Sequence, residues 1–280
     1  MPRIGSSSQG ESKLRMLRVV RHGDRHDPKE LSVSFLFEGD FAIAFREGRA
    51  DRLLPGETLK NIVYRAARDY GAGEIEEFGL ALADRVLSQH PAITRARVEI
   101  TEAPWLRLDV GGRPQGQAFV AGTSELKTAA ITSNGRKSSV VSGLSGLSVM
   151  RTAGFAPDAA DSQDDGRLDG LQRLLVADLS ARWTYGSADV TFRTYRQGVR
   201  ALIVETFARH ATRSIQHTLY AMADLVLASY QEMAEVTFSV QERRYRPADL
   251  FSAGVDNPDD LFVAADEPVG IVEVTVERHR

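Results

Sequence analysis

The segments ALADRVL at 81–87 and AMADLVL at 221–227 stand 140 residues apart in a chain of 280. A repeat at half the chain length confines the fold to two copies of one supersecondary unit, each burying the same helical face. The surrounding elements recur in the same order. LRMLRVV (14–20) and LSVSFLFEGDF (31–41) flank the turn-rich RHGDRHDPKE. In the second run Leu31, Val33, Phe35 and Phe37 alternate with Ser32, Ser34 and Leu36, the period of a strand with one buried face. Leu59, Ile62, Val63 and Ala66 fall at helical spacing, as do Ile75, Phe78, Leu82 and Val86 beyond the breaker GAG at 71–73. RARVEI, PWLRLDV and QAFVAG, joined through Gly111 and Gly112, then predict a second antiparallel pair.

The second half follows the same plan. ELKTAAI and SSVVSGLSGLSVM around Asn134-Gly135 predict its opening hairpin. Helical patterns at 196–209 and 213–231 come next, then strands at 234–240 and 269–276. The expected fold class is α+β, with tandem units at 9–124 and 125–280, each a strand pair, a helix pair and a strand pair. APDAADSQDDG (156–166) reads as a solvated loop inserted in the second unit.

Composition excludes several classes of function. The 35 basic and 38 acidic residues leave a net charge of -3, with no global field to attract nucleic acid or an acidic membrane. There is no cysteine, hence no disulfide, no thiol catalysis and no thiolate metal ligand. No apolar leader opens the chain and no run of about 18 apolar residues offers a membrane span, so a cytoplasmic protein is expected.

VVRHGDRHDP (19–28) resembles the Arg-His-Gly-x-Arg signature of histidine phosphatases, with His22 as nucleophile between Arg21 and Arg25. That chemistry needs a helix after the motif and a distant second histidine. Here a strand pattern follows, and His26, His90, His210, His217 and His279 offer no second site. A charged hairpin turn accounts for the stretch. Chelation of a metal by His22 and His26 lacks a third ligand.

VEITEAPWLRLDVGGRPQGQAF (98–119), SGLSGLSVMR (142–151) and IQHTLYAMADLVL (215–227) resemble urate oxidase, and the likeness runs from about residue 9 to residue 278. The resemblance implies two tunnelling-fold (T-fold) units per chain, antiparallel sheets backed by helices, and four chains stacked into a barrel with interfacial active sites. It also implies oxidation of a planar, urate-like heterocycle by dioxygen with no cofactor and no metal, the protein supplying deprotonation, positioning and electrostatics.

Carried over by position, the substrate-clamping arginine matches Arg173, the clamping glutamine Gln216, and an apolar backbone contact Ile215. A guanidinium fork and a primary amide can together hold both edges of a lactam ring. Other positions depart from the family. Its catalytic lysine falls on Glu11, with Lys13 close by, and its Thr-Asp pair falls on Gly56-Glu57. Thr58 supplies the relay hydroxyl if the turn shifts by two residues. The asparagine and histidine serving the dioxygen side fall on Glu242 and Arg244, and the stacking phenylalanine on Phe155, with Thr152 as the alternative. Two functions therefore stand open: an enzyme with an altered proton relay, or a catalytically silent homologue that binds a heterocycle or serves as a structural subunit.

Overall fold

The computed structural model describes residues 3–71, 73–152, 174–187, 190–210, 214–243, 245–250, 254–258, 260–264 and 270–278. The chain divides into two compact units, residues 1–144 with 184–193, and residues 145–183 with 194–280.

In the first unit β1 (Ser8–His22) and β2 (Arg25–Gly39) form a hairpin with His22 opposite Arg25, so the histidine motif is a tight turn between two strands. Leu31, Val33, Phe35 and Phe37 all face the core, as their alternation requires. The short α1 (Ala42–Glu47) precedes α2 (Gly56–Asp69) and α3 (Ile75–Gln89). Leu59, Ile62, Val63 and Ala66 of α2 and Ile75, Phe78, Leu82 and Val86 of α3 make the buried stripes. Each fully buried large side chain contributes about 1.5–3 kcal/mol. A reciprocal capping box between Glu74 and Glu77 starts α3.

After β3 (Ile93–Ala103), the pair β4 (Trp105–Val110) and β5 (Arg113–Ala121) forms its own two-stranded sheet. β6 (Leu126–Ser133) then pairs antiparallel with β3, Val98 opposite Ile131 and Ile100 opposite Ala129. The Asn134-Gly135 turn leads on to β7 (Ser138–Arg151). ELKTAAI is thus a partner of β3, because Ala129 and Ile131 share the core with Val98 and Ile100.

In the second unit β8 (Leu175–Tyr185) buries Leu179, Ala181 and Trp183 on one face. Helices α4 (Phe192–Arg209) and α5 (Ile215–Ser229) contribute Val199, Ile203 and Phe207, then Leu219, Met222 and Val226. β9 (Met233–Arg243) adds Val236, Phe238 and Val240. The short pair β10 (Tyr245–Pro247) and β11 (Phe262–Ala264) precedes β12 (Gly270–Glu277), which runs antiparallel to β9. No helix among the described residues is long and apolar enough to cross a membrane.

Arg107 ties the β4–β5 hairpin to the β1–β2 turn. Its guanidinium donates to the carbonyls of Gln115 (2.9 Å), Gly116 (2.6 Å) and His26 (2.6 Å) and to Asp27 Oδ1 (2.8 Å), and it lies 4.8 Å from the Phe119 ring centre. Its side chain is only 15% exposed, so solvent screens these bonds little. Arg107→Ala should lower stability by about 2–3 kcal/mol, from hydrogen bonds to a charged group left unmade. Urea unfolding checks this, and a loss below about 0.5 kcal/mol, the level of an ordinary surface change, would remove the staple.

Candidate active site

The first unit supplies one set of groups, at the start of α2. Pro55 precedes the helix, its carbonyl accepts from Leu59 N at 3.0 Å, and no side chain caps the first turn. Three ties bring strand β1 to this place. Gln9 Oε1 accepts from Leu54 N at 3.1 Å, which holds the loop before the helix on the strand. At Gly10 the strand lies so close to β2 that an added Cβ would stand 1.9 Å from the Phe35 carbonyl oxygen, so only glycine fits. Directly afterwards the register shifts between Glu11 and Leu14. Lys13, in the bulge, takes φ 57° and its backbone N–H donates to Ser34 Oγ at 3.0 Å.

The bulge separates Glu11 from Lys13. Glu11 is half-buried and turned to α2, where a Cβ added at Gly56 would lie 3.0 Å from its Oε1, whereas Lys13 is exposed. Glu57 is exposed in the same helical turn and Thr58 is half-buried. A shallow cleft of about 360 Å³ near the bulge is lined by Gly10, Glu11 and Ser12 together with Ser34, Leu36, Arg97 and Glu99, the last four alternating with core residues along β2 and β3.

The second unit supplies another set. Ser214 caps α5, its Oγ accepting from His217 N at 3.1 Å, and Ile215 is buried in the first turn. Gln216 is exposed, and its amide has no partner among the described residues. The His217 ring packs 4.6 Å from that of His210. Glu242, half-buried near the end of β9, stands opposite Gly270 of β12. The adjacent Arg243 points to the other face and grips Asp178 at 2.8 and 2.6 Å, and Ser148 Oγ also donates to Asp178. The Ser148 bond, with help from Arg243, holds the Asp178 carboxyl below the usual range. Thr152 is exposed, just past β7. Arg173, Phe155 and Arg244 lie outside the described residues.

Among the described residues no cation is paired with Glu11, Glu57 or Glu242, and no three His, Asp or Glu side chains are grouped to hold a metal. The sequence reading did not single out Gln9, Gly10 or Arg243. The glycine beside Glu11 was the one available signal.

The repeat sharpens the contrast between the two helix starts. At the 140-residue offset Gln216 corresponds to Glu76, and Ile215 to Ile75. Glu76 is fully buried, accepts from Ser142 Oγ, and Ser142 in turn accepts from Tyr185 OH at 3.1 Å. Beside it Glu74 accepts from Arg193 Nε at 2.7 Å and Glu102 from Lys127 Nζ at 2.8 Å. Burial works against the Glu74 carboxylate, yet the Arg193 bond and the charge of Lys127 hold its pKa below the ordinary carboxylate value. In the first unit the chain fills this position with its own side chains, whereas in the second it leaves an amide open.

The Uricase family model matches residues 8–132 and 140–273. A uricase from Arthrobacter globiformis is 30% identical over 280 residues, spanning 98% of this chain and 90% of its own. One from Danio rerio is 28% identical, spanning 96% of this chain and 93% of its own. The crystal structure of the Arthrobacter globiformis uricase superimposes with a TM-score of 0.87 over 99% of this chain and 96% of that chain. The antiparallel sheet backed by helices is thus the T-fold, and the chain belongs to the uricase family.

Proposed function

We propose that the chain binds a planar, purine-like heterocycle edge-on and oxidises it with dioxygen, without a cofactor or metal, through a proton relay that has changed from the family's. The observation that carries this reading is the Gln216 amide, exposed and unpartnered at the capped start of α5. An amide offers a donor and an acceptor to one edge of such a ring. Arg173 is the fork for the other edge, Ile215 the apolar contact, and Phe155, or else Thr152, the residue over the ring face. Glu11 moves the proton in place of a lysine, with Thr58 supplying the hydroxyl that Gly56 lacks and Glu57 beside it. Glu242 and Arg244 serve the dioxygen side.

One observation favours the second reading, a homologue that binds a heterocycle without turning it over: Gly56 has no hydroxyl where the family's relay has one. Both readings require the clamp. At a concentration of 100 times its dissociation constant, a cognate heterocycle should stabilise the chain by about 2.7 kcal/mol, which a thermal-shift screen of purines, pyrimidines and pterins detects. Arg173→Ala and Gln216→Ala should each weaken the best ligand, the arginine by about 2 kcal/mol, as for a lost charge-assisted bond. Unchanged affinity in both variants removes the clamp.

Strands β1 and β12 each end the hydrogen-bonded order of their ladders. Unpaired edges of this length need covering, and a second copy of the chain covers them most simply. We infer a homotetramer in which Glu11, Glu57 and Thr58 of one copy meet Arg173, Gln216 and Glu242 of its neighbour. Sedimentation at micromolar concentration should show a tetramer; a monomer contradicts the interfacial site.

A further inference from the structure

The half-buried carboxylate of Glu11 faces the start of α2 with neither a cation nor a hydrogen-bond donor paired to it among the described residues. Its place is fixed by three independent constraints: the Gln9–Leu54 bond, the approach of Gly10 to Phe35, and the bulge that carries Lys13 away. At 3.0 Å from the Cβ that Gly56 lacks, the carboxylate uses space that any larger residue at 56 would contest. Glu57, in the same turn, adds a second negative charge and no compensating positive one.

An ionised carboxylate accepts hydrogen bonds and donates none, and its two oxygens are spaced to receive two parallel N–H groups. A second anion brought against it is repelled, the more strongly as water is excluded. We propose that Glu11 sets the ligand class of this site: a heterocycle, neutral or cationic, that turns two adjacent N–H donors toward the carboxylate, in preference to an anion such as the urate monoanion. The proposal rests on the reading that Gln216 and Arg173 hold a planar heterocycle. Glu11 thereby discriminates among purine-like rings that the clamp alone would accept equally. Gly56 is the matching half of this device, since a side chain there would displace the oxygen from its position.

Calorimetric titration of the full chain with guanine, whose N1–H and 2-amino N–H are adjacent parallel donors, and with urate tests this, in the parent and in Glu11→Gln, Gly56→Ser and Gln216→Ala. The parent should bind guanine at least about 10-fold more tightly than urate, the scale of one charge-assisted pair of hydrogen bonds. Glu11→Gln, which keeps the shape and removes the charge, should erase most of that ratio, and Gly56→Ser should reduce it. If the parent prefers urate, or if both variants keep the parent's ratio while Gln216→Ala weakens both compounds, the clamp stands and the role of Glu11 is overturned. If Gln216→Ala changes neither affinity, or neither compound binds the parent, the clamp itself falls and the inference with it.

Discussion

Alternate apolar side chains on β2, β3 and β6 hold α2 and α3 against one face of the first unit, and this packing decides where its helix starts lie. Hydrophobic burial has no direction of its own, but the alternation of strands and the stripe of helices give it one. With Leu59, Ile62, Val63 and Ala66 committed to the core, the first turn of α2 is carried to β1, whose side chain Gln9 captures Leu54 N. The meeting of Glu11 with Gly56 follows from that packing and the local crowding at Gly10.

The same physics gives different results at the two helix starts. Ile75 and Ile215 are both buried at the first position of their helices, so each fixes the residue that follows. Glu76 is turned inward to Ser142, in a region where Glu74 and Glu102 find Arg193 and Lys127. A buried carboxylate needs such partners, and the first unit provides hydrogen-bonding ones. Gln216, uncharged and exposed, needs none from its own unit. At these two similar helix starts the neighbouring side chains determine which of them is open.

The sequence disclosed whatever had a clear period. The alternation in β2 and the stripes of α2 and α3 appear in the structure with the buried residues named from their spacing, and α5 appears as a helix within its expected range. The partner of β6 was not legible, because an Asn-Gly turn marks a hairpin without saying what lies on its far side; the core shared with β3 decides that. β8 was missed although Ala177, Leu179, Ala181 and Trp183 alternate with Asp178, Ser180 and Arg182, because the consecutive buried residues Leu175, Val176 and Ala177 blur its start and two of the inward positions are only alanine. The bulge after Glu11 was hidden for another reason: Lys13 takes a left-handed conformation with no glycine or asparagine to announce it. The family likeness points to Glu11, Gly56 and Glu242 as departures, but only three-dimensional placement shows Glu11 Oε1 standing 3.0 Å from where a Cβ at Gly56 would lie.

In the proposed function the relay at Glu11 and Gly56 has changed in kind. The most direct measurement is urate-dependent dioxygen consumption by the parent chain and by the double variant Glu11→Lys, Gly56→Thr, both shown to be folded. A restored acid–base relay contributes on the order of 100-fold or more, so the double variant should exceed the parent in kcat/KM by at least that factor. A parent that consumes dioxygen with urate as fast as the double variant does would contradict the account.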